Sequence, residues 1–296
     1  MGAPQCGGQA LIEGVMMRCP SGMTVAVRRR SGEITVERAL RPQPGGGIWA
    51  WPLVRGLGTL ADSLVLGTRA LLRSAELAEA DLGDRGSNPP EREGALVWTM
   101  LPSLLLAVGL FVVLPTALAG IWRRGLGSAV AAQFLEGAVR LLLLLGYVAG
   151  ISAVGQVRRV LEYHGAEHKA IATLEAGLPL EVEAARGRSR FHPRCGTSFL
   201  LFVVLLAGFA FPLLGWPALW LRVLLRIILL PVVAALGYEV LRLSARGRAA
   251  AMRALVAPGL WLQHLTTREP DGAQLEVALA ALRAALELPG TTEPPH

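Results

Sequence analysis

Lysine is nearly missing from this chain: of 29 basic residues, all but Lys169 are arginine. Cysteine is scarce, with three in 296 residues, as are histidine, with five, and the aromatics, at 6%. Three cysteines in a reducing compartment exclude a disulfide framework. Cys6 and Cys19 therefore read as small buried residues, and Cys195 stays open between packing and metal ligation. The first residues lack the basic cap and apolar run of a cleavable signal, so the start reads as mature cytoplasmic protein. No internal repeat of fixed period is visible.

Apolar residues are abundant. A hydrophobic content of 53% with a mean hydropathy of +0.47 excludes an ordinary soluble domain and points to a membrane protein. Residues 96–121 carry no charge and exceed the ~20 residues needed to cross the hydrocarbon. Residues 134–157 are apolar except for Glu136 and Arg140, an i, i+4 pair that can neutralise itself. Residues 199–221 and 223–243 form two further spans, the last holding Arg226 and Glu239. The expected architecture is a polytopic α-helical membrane protein of about four transmembrane helices within residues 96–243. A small cytoplasmic α+β portion comes from N-terminal strands, the 158–197 loop and a C-terminal helix.

Eleven arginines precede Leu96, six and the lysine lie between Arg158 and Arg194, and six follow Leu241, whereas the two short connectors carry three. The positive-inside rule then places both termini and the His-rich segment on the cytoplasmic side, with the short connectors facing out. The net charge of +7 follows from that topology and from contact with anionic lipid, which leaves little reason to invoke nucleic acid.

The flanks carry their own patterns. Within residues 1–41, 24–28 and 33–37 alternate as strands around a Ser31-Gly32 turn, with residues 9–18 as a third strand beside them. Trp49 and Trp51 suit a headgroup anchor. Residues 48–82 read as an amphipathic helix on the inner leaflet or against the sheet, and 83–95 as a linker. In the C-terminal segment 244–296, Asp271 and Gln274 make a capping pair for a structural helix through Leu288.

Chemistry concentrates in Tyr163-His164-Gly165-Ala166-Glu167-His168-Lys169 and His192-Pro193-Arg194-Cys195. On a helix over 158–176, His164 and His168 share a face, the spacing at which two imidazoles bind one metal ion. His-x-x-Glu-His is the inverted zinc-hydrolase pattern, in which the glutamate activates a metal-bound water that the two histidines hold in place. The second span is expected to run unbroken into this helix, placing His164 roughly 10 Å beyond the hydrocarbon at ~1.5 Å per residue. His192 and Cys195, just before the third span, arrive at a similar height. Lys169 supplies a compact ammonium or titratable amine where the chain elsewhere uses arginine.

The stretches Gly7–Arg18, Tyr163–Lys169, His192–Phe199 and Leu265–Asp271 resemble the four signature segments of the YqhQ family of bacterial inner-membrane proteins. The likeness extends over nearly the whole chain. It implies a domain of unknown function described as a predicted metal-dependent enzyme, which adds to the metal reading and supplies no substrate. Cys19 stands where a small residue such as glycine is expected.

The expected function is a membrane-embedded hydrolase dependent on zinc or another divalent metal, acting at the cytoplasmic membrane surface. His164 and His168 would be ligands, with His192 or Cys195 completing the set. Glu167 would be the general base, Lys169 and Glu13 further catalytic groups, and Arg194 a substrate contact. Four ligands bound together would close the shell and make the metal structural. A reading of a different class is a non-enzymatic scaffold or assembly and quality-control factor for other membrane proteins; a transporter has the least to build on.

Overall fold

The computed structural model describes residues 4–20, 22–40, 51, 53–79, 93–244 and 250–288. The expected anchor Trp49 and most of the 83–95 linker lie outside them. Four strands, β1 (Gly7–Leu11), β2 (Gly14–Cys19), β3 (Gly22–Arg28) and β4 (Ile34–Leu40), form an antiparallel meander in sequence order. The stretch 9–18, expected as one strand, folds instead into the β1–β2 hairpin. Glu13 turns it with a left-handed φ of 51°, and its carbonyl accepts a hydrogen bond from Arg28 N at 2.8 Å. Gly32, at φ 88°, makes the β3–β4 turn.

The hairpin register sets Gly7 opposite Arg18, which makes Cys6 and Cys19 neighbours across the strands. They form a disulfide with Cα atoms 4.4 Å apart. This corrects the reading of both as isolated thiols: cross-strand pairing, which the spacing of thirteen residues does not disclose, juxtaposes them.

Strand alternation feeds two separate cores. Val15, Met17 and Ala26 face Tyr163, Ala166 and Ile171, together with Leu275, Leu279 and Leu282 of a C-terminal helix. Leu11, Met16, Val25 and Val27 on the other face meet Ala70, Leu77 and Ala78. The sheet is thus covered on both sides, which explains a β2 sequence as continuously apolar as Gly-Val-Met-Met.

Helix α1 (Val54–Glu79) supplies the second cover. It is tied to the bundle by Arg55, whose Nε donates to Glu239 Oε1 at 2.7 Å. Four helical stretches are long and apolar enough to cross a membrane: Leu101–Arg123, Ala129–Ser152, Gly196–Leu214 and Leu219–Leu243. They are built from α2 (Glu93–Val108) and α3 (Leu114–Leu126) joined through a π-turn, from α4 (Ala129–Ser152), from α7 (Gly196–Ala210) with a 3₁₀ turn, and from α8 (Leu219–Ser244). Their apolar side chains face outward as well as inward, as expected of helices whose solvent is lipid.

The second of these helices stops at Ser152. Val154 is extended at φ −72°, ψ 126°, and a new helix, α5 (Gly155–Glu175), begins after it. The expected unbroken run fails here because Gly150, Ser152 and Gly155 supply weak helix formers at the junction. The break lets α5 pack beside α10 (Gly272–Leu286) on one face of the sheet, so that nine residues from Tyr163 to Thr173 are buried. Short α6 (Val182–Arg186) and α9 (Ala250–Thr266) complete the order. Asp271 and Gln274 cap α10 reciprocally, at 2.7 and 2.9 Å.

The segment after α9 lies against α5. Arg268 N donates to Leu161 O at 2.8 Å, and a Cβ on Gly165 would stand 2.0 Å from Arg268 O. Gly165→Val should therefore lower stability by about 1–3 kcal/mol through overpacking. Gly150→Ala, where a Cβ meets open space, should leave stability unchanged or slightly raised. Thermal unfolding of both variants in detergent checks the contrast.

Candidate metal centre

Two imidazoles on α5 are aimed by backbone carbonyls. His164 Nδ1 lies 2.7 Å from Thr266 O, and His168 Nδ1 lies 2.6 Å from Arg190 O. A carbonyl can only accept, so each Nδ1 carries the hydrogen and each Nε2 presents a lone pair. Those lone pairs converge on Cys195: its Sγ stands 3.2 Å from His164 Nε2, and the three donor atoms all lie within 4.8 Å of one another.

Cys195 arrives from the other side, as the residue that caps α7. Its Sγ accepts Thr197 N–H at 3.5 Å and contacts Thr197 Oγ1 at 3.1 Å. The positive end of a helix is where a negatively charged sulfur is stabilised. Gln263, fully buried, clamps the preceding loop: its Oε1 accepts His192 N–H and its Nε2 donates to His192 O, both at 2.8 Å. Thr266 Oγ1 meets Thr197 Oγ1 at 3.1 Å, joining α9 to the wall around the cysteine.

Glu167 is buried beside the cluster, its Oε2 3.9 Å from His164 Nε2 and 3.7 Å from His168 Nε2. Burial pushes its carboxyl above the ordinary carboxylate range, opposed by His164, by His192 and by a hydrogen bond from the Gly8 amide. Gly8 has to be glycine for this contact, since a Cβ there would lie 2.7 Å from both Glu167 Cγ and Met16 O. Burial depresses His168, a shift that Cys195 opposes. It depresses His192 as well, against Glu167.

The remaining expected site residues are held elsewhere. His192 is 5.6 Å from His168 ring to ring, but its Nε2 faces Glu175 Oε2 at 3.4 Å and it stays outside the three-donor group. Arg194 pairs with the same Glu175 and lines a cleft of about 750 Å³ with His164, Gly8, Gln9 and Thr197. The ammonium of Lys169 donates to Arg186 O at 3.0 Å and pairs with Glu269, which fastens α5 to the segment before α10. Glu13 is taken by Arg159 and by Tyr163 OH, at 3.2 Å for the latter.

Sequence reasoning missed Gly8, Thr197, Gln263 and Thr266. The first lies within the N-terminal signature and the last within the C-terminal one, but nothing in their residue types announced contact with the histidines.

The donor set fits a metal of zinc's character: two imidazoles with their second nitrogens bonded to carbonyls, and one cysteine sulfur. The described residues supply three such donors to one point, which leaves room for a fourth ligand that is not protein.

Two cavities border this region, the cleft reaching His164 and the apolar one reaching Thr266. The cleft above runs under the sheet. An apolar cavity of about 480 Å³ descends between the long helices past Leu200, Val204 and Ala207 to Phe211 and Arg140. Thr197 lines both.

A sheet-covered His/His/Cys centre mounted on four membrane-length helices defines the class: a helical protein whose long apolar helices suggest a membrane location. The chain belongs to the family described as "Protein of unknown function (DUF1385)", whose model matches residues 51–288. It is similar to "Uncharacterized protein YqhQ" of Bacillus subtilis (strain 168), with 35% identity covering 98% of this chain and 95% of that protein. No solved structure matches.

Elemental analysis of detergent-purified protein should show about one equivalent of metal, lost in His164→Ala and in Cys195→Ser and retained in His192→Gln. The two depressed histidines contribute to the pH dependence with one sign, and the raised Glu167 carboxyl opposes them as pH climbs. Because burial depresses His168 and His192 in the folded chain, the unfolded chain binds more protons once pH falls below about 6.5. Metal-free His192→Gln should therefore lose less thermal stability than the metal-free wild type as pH drops through that range.

Proposed function

We propose that this protein is a metal-dependent hydrolase, zinc being the best match to its donors, that works at the cytoplasmic surface of the inner membrane on an amphiphilic substrate. One observation carries the reading: both Nδ1–H groups of His164 and His168 are spent on carbonyls, so two lone pairs are held ready beside a helix-capping cysteine. A buried pair of imidazoles with no ligand to bind would more cheaply hydrogen-bond to each other or to Glu167.

When bound, the metal would supply Lewis-acid polarisation of the bond to be broken. Glu167 is the general base. Its carboxylate sits within 4 Å of both ligand nitrogens, takes a proton from the attacking water and returns it to the leaving group. Burial raises this carboxyl, which favours its holding the proton between the two transfers. Gly8 N–H orients it. Arg194, on the wall of the polar cleft, contacts the substrate's polar part, with Glu175 aligning the guanidinium. Lys169 and Glu13 are positioning residues in this scheme, because each is spent on a contact that fixes α5.

The amphiphilic character of the substrate is supported by the two cavities that share Thr197. A polar portion fits the cleft under the sheet, an apolar chain fits between the helices, and the scissile bond falls near Thr197 and His164, where the two cavities share a wall. Three protein donors at the centre favour catalysis over a structural staple, which would close its shell with a fourth.

Zinc-loaded protein in nanodiscs should hydrolyse long-chain chromogenic acyl esters faster than short-chain ones. Glu167→Gln should keep its metal and lose about 100-fold or more in rate. Full activity in that variant would assign the centre to structure.

A further inference from the structure

The far end of the long helices, remote from the His/Cys centre, holds an excess of buried positive charge. Arg140 and Arg226 both bond Glu136, at 2.7 and 2.8 Å, and Thr116 donates to the same carboxylate at 3.2 Å. Both oxygens of Glu136 are thereby used. Glu136 is the one acid within α3, α4, α7 and the first half of α8, against the three buried guanidinium groups of Arg140, Arg222 and Arg226.

Arg222 is the group left over. Its side chain is only 4% exposed, yet its Nε and Nη1 find no hydrogen-bond partner among the described residues. A buried guanidinium with two idle N–H groups is costly unless something accepts from them. The surrounding structure holds it in place: the Trp216 indole lies 4.0 Å from its Cζ, and Gly120 leaves its Nη2 room, since a Cβ there would come within 3.2 Å. Stacking covers the face of the guanidinium and leaves its edge to bond. Arg123 converges on the same ring, with its Cζ 4.8 Å from the centroid. Arg123, Arg222 and Trp216 together line a cleft of about 560 Å³.

We propose that this cleft is an anion site for a phosphate group, and that the phosphate is the headgroup of an anionic membrane phospholipid. Two guanidiniums on one cleft match the oxygens of a phosphate in the bidentate geometry that arginine favours. The lipid source follows from the rim. Ile121, Leu219 and Trp220 are 65%, 49% and 69% exposed beside the cleft, an apolar surface at the height where acyl chains begin if these helices span a bilayer. Inorganic phosphate would meet the same N–H groups and leave that rim bare. The site is independent of the metal centre and of its chemistry.

The test uses the full chain purified in detergent, with thermal stability read on adding short-chain phosphatidylglycerol, short-chain phosphatidylcholine or inorganic phosphate. Phosphatidylglycerol should raise the midpoint, and phosphatidylcholine should not. Arg222→Gln and Arg123→Gln should each weaken apparent phosphatidylglycerol affinity by about tenfold or more, as expected for loss of a charge-assisted hydrogen bond. Gly120→Leu, which crowds the Arg222 guanidinium without removing charge, should weaken it too and serves if Arg222→Gln fails to fold. A midpoint shift with inorganic phosphate as large as that with phosphatidylglycerol would overturn the lipid assignment. No shift with any of them, or shifts that survive in all the variants, would overturn the site.

Discussion

The centre depends on two hydrogen bonds that involve no unusual residue at their accepting ends: Thr266 O to His164 Nδ1 and Arg190 O to His168 Nδ1. Each carbonyl fixes one imidazole's tautomer and ring plane. The chain segments that bring those carbonyls up are in turn fastened to α5. Arg268 bonds Leu161 through backbone atoms, Lys169 reaches Arg186 and Glu269, and Gln263 grips His192 through both of its backbone atoms. Removing the fastenings would free the rings to rotate, and the shared focus on Cys195 would be lost.

The small sheet makes sense in the same terms. Alone, four short strands would bury too little to be stable. Here one face covers α5 and α10 and the other covers α1. The sheet also closes the site from above, with Gly8 brought close enough to hydrogen-bond Glu167. Polar groups at the centre are thereby removed from water while the cleft beside them stays open, a combination that shifts a carboxylate toward neutrality and leaves a route for ligands. The disulfide between Cys6 and Cys19 pins the hairpin that carries Gly8.

Much of the helical frame was legible. Four apolar runs of sufficient length gave four membrane-length helices, since length and hydropathy are local properties of the chain. The i, i+4 histidines were legible for a similar reason, as was the capping pair of α10. The Cys195 side of the centre was legible only as a spacing from His192, and the structure selects Cys195 for the three-donor group while turning His192 toward Glu175. Arg226 was legible only as a charge inside an apolar run, and the structure sets it against Glu136 of another helix.

The sequence by itself determined which segments are apolar enough for a bilayer, which residues share a helix face and where short-range turns and caps fall, because those depend on neighbours within a few positions. Tertiary structure decided the rest. The break after Ser152 made α5 a separate helix that packs with the sheet and α10. The register of the first hairpin paired Cys6 with Cys19. The packing of α9 on α5 chose which carbonyl each histidine meets. All three rest on contacts between residues far apart in the chain, where no local preference acts and burial and hydrogen-bond satisfaction across the whole fold select the partner.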